Sequence, residues 1–190
     1  MAMTDMRGLY QRAAGTFGAR VRAVREDQWD HPTPCSEWDV RALVNHLVSE
    51  QLWVPPLLEG LTVEQVGGRY DGDVLGDDPK RAWQAASSAA VAAFDPPDAL
   101  ERNVHLSFGD VPGEEYCFEL TSDLLIHGWD LARAIGADET LDPETTELSL
   151  RRLEPIEEVL RGSGLVGPKV DTPPDASPTV KLLGLWGRRA

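Results

Sequence analysis

The chain has 190 residues, 42% of them hydrophobic, and 32 acidic residues against 18 basic ones give it a net charge of −14. That length suits one globular domain with a real core, and the acidity disfavours nucleic acid backbones and anionic lipid headgroups as partners. No apolar run reaches the roughly 18–20 residues that span a bilayer. The first residues, MAMTDMRGLY, lack the basic and apolar regions of a signal peptide. The two cysteines, Cys35 and Cys117, make no disulfide framework. The expectation is a soluble, cytoplasmic protein whose partners are small molecules, cations or proteins.

Residues 7–26 carry apolar side chains at helical spacing, with Leu9, Ala13, Phe17, Val21 and Val24 forming a stripe. Arg20, Arg22 and Arg25 are read as a solvated face of that helix. A Pro-punctuated loop follows, Trp29 to Ser36, in which Ser36 is expected to cap a helix running from Glu37 to about Trp53. Pro55 and Pro56 either end this helix or sit in a short extension of it. The Gly- and Asp-rich stretch from Gly67 to Pro79 is a loop, and it resembles a calcium loop in composition only. Asp78 or Pro79 then opens an Ala-rich helix, residues 80–94. Residues 103–109 alternate like a strand and are expected to form an extended connector or a small hairpin.

The clearest helix spans Glu114 to Ile135 and stops at Gly136. Pro143 introduces another, to Arg161, with a kink or break at Pro155. A tail rich in Pro and Asp, 164–178, leads to a last short helix at 179–186. The reading is all-α: an up-and-down four-helix bundle with a short extended connector and a small C-terminal helix. Residues 1–163 are expected to form the bundle, and 164–190 a tail with a short helix docking on the same domain.

The chemistry concentrates on the helix from Glu114 to Ile135. At 100° per residue Glu119, Asp123, His127 and Asp130 share a sector bordering the apolar stripe of Leu120, Leu124, Leu131 and Ile135. Burying such groups without compensation costs several kcal/mol, roughly 2–7 for a neutral polar group and more for a charge. A divalent cation between Asp123 and His127 removes that cost. The alternative is a simple hydrogen-bonded i, i+4 pair at the bundle surface. A second inward histidine, His46 in Val44-Asn45-His46-Leu47-Val48, favours the cation. His31 in the loop and His105 in the alternating stretch are expected to face outward. Cys35 is read as a loop residue and Cys117 as core. Phosphate-binding loops, G-x-S-x-G, C-x-x-C and H-E-x-x-H motifs are absent from the sequence.

The runs TPCSEWDVRALVNHLV, WVPPLLEG, DGDVLGDDP and TSDLLIHGWDLARAIG, with KLLGLWGR near the end, resemble the DinB-like metal-binding domain of the mycothiol-dependent maleylpyruvate isomerase family. The similarity runs from about Tyr10 through the final helix, as in a short single-domain member. It implies a four-helix bundle with one metal ion held by His46, Asp123 and His127, in which Asp123 stands where relatives often carry Glu or His. It also implies a low-molecular-weight thiol of the mycothiol type as cosubstrate. Isomerase activity is not carried over, since those enzymes have a further C-terminal domain.

The resulting expectation is a metal-dependent thiol S-transferase with zinc or nickel in the site, and a homodimer is possible. Asp130 orients a ligand, and Trp38, Trp53 and Trp129 line a pocket or pack in the core. The rivals are a non-catalytic metal-binding module and a small-molecule-binding bundle whose site is vestigial.

Overall fold

In a computed structural model, which describes residues 4–162 and 166–190, the chain is mostly helical with one two-stranded sheet. It groups into two compact units, Met1–Ala137 and Asp138–Ala190. The division that composition suggests, at residues 163 and 164, lies inside the second unit, and Ser163 and Gly164 fall outside the described residues.

In the first unit, α1 (Met6–Ala23), α2 (Val40–Leu58), α4 (Pro79–Ala93) and α5 (Gly113–Ile135) are the long helices. A single turn, α3 (Val63–Val66), lies between α2 and α4. Helix α1 packs on α4 and α5, and α2 packs on the same two, so the four stripes close around one core. Leu9, Phe17 and Val21 of α1 are fully buried, as the apolar spacing predicts, together with Leu43, Leu47, Leu124 and Leu131. Trp83 of α4 lies against Phe17, with ring centroids 4.6 Å apart.

Arg20 departs from the solvated face expected of it: it is only 8% exposed. Its guanidinium crosses α5 at Gly128, where a Cβ would sit 2.7 Å from Arg20 Nη1. Glycine there leaves the room that the buried arginine fills.

Asp39, not Ser36, caps α2, its Oδ1 accepting from the Ala42 amide at 2.7 Å. The preceding residues are held in a turn instead. The Thr33 hydroxyl donates to the carbonyls of Cys35 (3.0 Å) and Trp38 (2.8 Å), and the Trp38 amide returns to Cys35. Helix α2 continues through Pro55 and Pro56 to Leu58. The loop after α3 is fastened to α2 by Arg41, which donates to Asp73 at 2.8 Å, and by Asn45, which donates to the Gly72 carbonyl at 2.9 Å. Asp73 Oδ1 also accepts from the amides of Leu75 and Gly76, so this acid shapes its own loop.

The alternating stretch is a hairpin, β1 (Asn103–Leu106) against β2 (Gly109–Pro112), antiparallel. It delivers the chain to α5, whose first amides donate to carbonyls upstream: Gly113 to Arg102 and Glu114 to Leu100, each at 2.8 Å. Those backbone acceptors replace a side-chain cap. At the other end Gly136 takes the left-handed conformation (φ 69°) that stops the helix. Gln28 donates to the Ile135 carbonyl there at 3.0 Å.

In the second unit, α6 (Pro143–Leu153) is followed by a 3-10 turn at Glu154–Ile156 and by α7 (Glu157–Gly162), so the helix breaks at Pro155 as expected. The final helix α8 (Pro178–Leu185) packs on α6 and buries Leu182, Leu183 and Leu185. Among the described residues no helix is long and apolar enough to cross a membrane.

Candidate metal centre

Helix α5 turns its polar sector inward. Asp123 retains 20% of its side-chain exposure, His127 only 7%, and Asp130 none. His127 Nδ1 lies 3.0 Å from Asp130 Oδ2. When Nδ1 carries the proton it donates to that carboxylate, which leaves the Nε2 lone pair facing Asp123 Oδ1 at 3.5 Å. From α2, His46 brings its own Nε2 to 3.3 Å from Asp123 Oδ2. One donor atom from each of His46, Asp123 and His127 lies within 4.8 Å of the other two.

These separations bear on both explanations of the Asp123–His127 pair. A hydrogen bond to a carboxylate usually closes to about 2.7–2.9 Å. Donors held on one divalent ion by bonds of about 2.0–2.2 Å sit roughly 3.0–3.5 Å from each other at octahedral or tetrahedral angles. The 3.3 and 3.5 Å contacts match the edges of such a polyhedron, with one carboxylate between two imidazoles. The donor set is that of zinc, nickel, iron or manganese sites. In spacing and donor type, His46, Asp123 and His127 are a set that could hold a single divalent cation.

Burial alone would pull the His46 imidazole down, but its hydrogen bond to Asp123 and the charges of Asp123 and Glu50 outweigh burial and raise its pKa. Glu50 was not singled out in the sequence. It lies one turn beyond His46 on α2, and burial, with the Asp123 charge added, pushes its carboxyl up to about 7, against the opposing pull of the two imidazoles. The signal was present: His46-x-x-x-Glu50 repeats on α2 the spacing of Asp123-x-x-x-His127 on α5.

The three candidate tryptophans part company. Trp38 lies over the centre, its ring centroid 4.6 Å from that of His46 and 5.4 Å from that of His127. Trp53 packs against Tyr70, at 6.0 Å. Trp129 is core, 2% exposed, with the Arg133 guanidinium over its ring. His31 Nδ1 lies 3.5 Å from the Ala134 carbonyl near the end of α5, and His105 pairs with Asp110 across the hairpin at 2.8 Å. Cys35 is half-buried in the turn before α2. Cys117 is buried, and that burial pushes its thiol up to about 12, which removes it as a nucleophile.

Residues 10–132 match the model of the mycothiol maleylpyruvate isomerase N-terminal domain. The chain belongs to that family. The matched stretch holds all three donors, Trp38, Glu50 and Asp130. Two Mycobacterium tuberculosis proteins of uncharacterised function, from strains CDC 1551 / Oshkosh and ATCC 25618 / H37Rv, are each 35% identical over 168 residues, covering 86% of this chain and 81% of theirs. Among solved structures, mycothiol-dependent maleylpyruvate isomerase and a mutant of it share the fold. Each has a TM-score of 0.61 at 14% identity, over 77% of this chain and 67% of theirs. In this family member the fold places a helical core around the Asp123 carboxylate.

Proposed function

We propose that this protein binds one divalent metal ion through His46, Asp123 and His127 and uses it to transfer a low-molecular-weight thiol of the mycothiol type to an electrophile. The observation that carries the reading is the placement of the Asp123 carboxylate 3.3 Å from one imidazole nitrogen and 3.5 Å from another. Three protein donors leave at least one coordination position open, as catalytic sites do and closed structural sites do not. A divalent cation held by these three donors would supply one thing, a lowered pKa for a thiol in the open position, so that thiolate would exist at neutral pH.

The chain's own residues do the rest. His46 and His127 would each present a ring nitrogen to the ion, and Asp123 a carboxylate oxygen. Asp130 holds His127 in the tautomer that faces the site. Helices α2 and α5 fix the separation of these donors, while the Trp38 ring covers one side. The thiol's proton leaves to solvent, its sulfur forms a bond to an electrophilic carbon, and the leaving group departs with its electron pair. The same reading takes α1, α2, α4 and α5 as a DinB-like four-helix bundle, zinc or nickel as the ion and the cytoplasm as the compartment, with a homodimer possible.

The supporting family link is to enzymes that depend on mycothiol, by the names those relatives carry. A non-catalytic metal module is the second reading, favoured by the same donor geometry without the thiol. Elemental analysis of untagged protein comes first: we expect about one divalent ion per chain, and its loss in His46→Ala. Unchanged metal content in that variant sinks the centre. Metal-loaded protein is then incubated with mycothiol and chlorodinitrobenzene. Conjugation no faster than with His127→Ala leaves the module and removes the transferase.

A further inference from the structure

The two imidazoles of the centre are held by different means. His127 is fixed from behind, since its Nδ1 meets the fully buried Asp130 at 3.0 Å. The His46 ring has no such backing: among the described residues its one hydrogen-bond contact is between Nε2 and Asp123. What lies against the His46 ring is Trp38, tilted at 34° with centroids 4.6 Å apart. The two histidines meet edge-on at 78° and 5.4 Å, and Trp38 touches His127 as well, so the three rings form a closed triangle.

The turn before α2 delivers this packing. Thr33 receives the Cys35 amide on its hydroxyl oxygen and donates to the Trp38 carbonyl, and Pro32 bridges to Asp39. The Val40 amide reaches the His31 carbonyl at 3.0 Å, and the Arg41 amide reaches that of Trp29 at 2.9 Å. Each bond fixes backbone around Trp38, whose side chain then lies over both rings. A histidine that ligates a metal ordinarily has its second nitrogen held by a carboxylate, carbonyl or water, and losing that partner weakens metal binding. Stacked aromatic rings prefer defined offsets, at about 0.5–1.5 kcal/mol beyond area burial.

We propose that Trp38 is the positioning residue for His46: by packing its ring against the imidazole it sets the ring plane that Asp130 sets for His127 by hydrogen bonding. The inference rests on the metal reading above and concerns how one ligand is oriented. It also fixes the side of approach, because the indole occupies the face of the centre beneath the 31–39 turn, and a substrate enters from elsewhere.

Co²⁺ titration of the full chain, read by its visible absorption band and by competition with a chelator, tests this. We expect Trp38→Ala to weaken Co²⁺ binding roughly 10–100-fold and to shift or broaden the band, while Trp38→Phe stays within about threefold. Trp38→Leu keeps apolar cover without a ring and serves if the alanine variant is unfolded by circular dichroism. It too should bind weakly. Wild-type affinity and an unaltered band in a folded alanine or leucine variant overturn the proposal. Equal losses in the phenylalanine and leucine variants also overturn it, since then ring packing is not what matters. Failure of the wild-type chain to bind Co²⁺ instead overturns the metal centre itself.

Discussion

Helices α2 and α5 face each other across the centre and contribute in contrasting ways. On α5 the donors are backed by buried polar groups: His127 is almost wholly enclosed and Asp130 has no exposed side-chain area. On α2 His46 keeps 29% of its side-chain exposure, is backed by the tilted Trp38 ring and not by a hydrogen bond, and has Glu50 one turn away. The α5 half is thus a fixed, low-dielectric anchor. The α2 half is the more open one, with His46 part-exposed and Glu50 beside it. In the proposed centre, an ion would be held chiefly through one helix and tuned through the other.

Removing the anchor should have the largest effect. His127→Ala is expected to weaken Zn²⁺ binding more than about a hundredfold, beyond the 10–100-fold range of a partner that only orients a ligand. Calorimetric titration measures it, and a loss smaller than that of His46→Ala would reverse the assignment of anchor and tuning halves.

The next prediction addresses protons on the α2 side. In metal-free protein the folded state keeps the Glu50 carboxyl protonated up to about pH 7, whereas the unfolded chain releases that proton in the ordinary glutamate range. The folded state binds more protons in that window, so stability falls as pH rises through it, by up to about 3 kcal/mol. Glu50→Gln should flatten most of the fall. A smaller slope of the same sign remains from His46, whose raised pKa also gives stability that is lost as pH rises. Urea midpoints between pH 5 and 8 in chelator report this, and an unchanged slope in Glu50→Gln would place the proton elsewhere.

Asp130→Asn is the mildest of the three. The amide can still accept from His127 Nδ1 but brings no charge, and about a tenfold loss of zinc affinity is expected. Loss of fold in place of lost affinity, seen by calorimetric melting, would make Asp130 a core residue and not an orienting one.

Much of the α5 half could be read from the sequence because its periodicity carries the information. An uninterrupted helix with Leu120, Leu124, Leu131 and Ile135 on one stripe fixes where Asp123, His127 and Asp130 must point. The α2 half was harder. His46 sits in an apolar run and announces itself, but Glu50 follows Ser49 and precedes Gln51, and a polar triplet reads as solvent face. Gln51 is in fact fully buried, accepting from the Tyr10 hydroxyl, so only the packing of α1 and α5 reveals that this turn is interior. Arg20 misled for the same reason: its burial depends on Gly128, over a hundred residues later. Ser36 and Asp39 both suit a helix cap, and the choice was made by the Thr33-centred turn, which needs residues 36–38 for itself.

The turn before α2 ties two functions to adjacent residues. Trp38 lies on the imidazoles while Asp39 closes the first turn of α2 through the Ala42 amide. Fraying at that helix end and exposure of the centre are therefore one event, and slow exchange of the Ala42 amide is a reporter of a closed site.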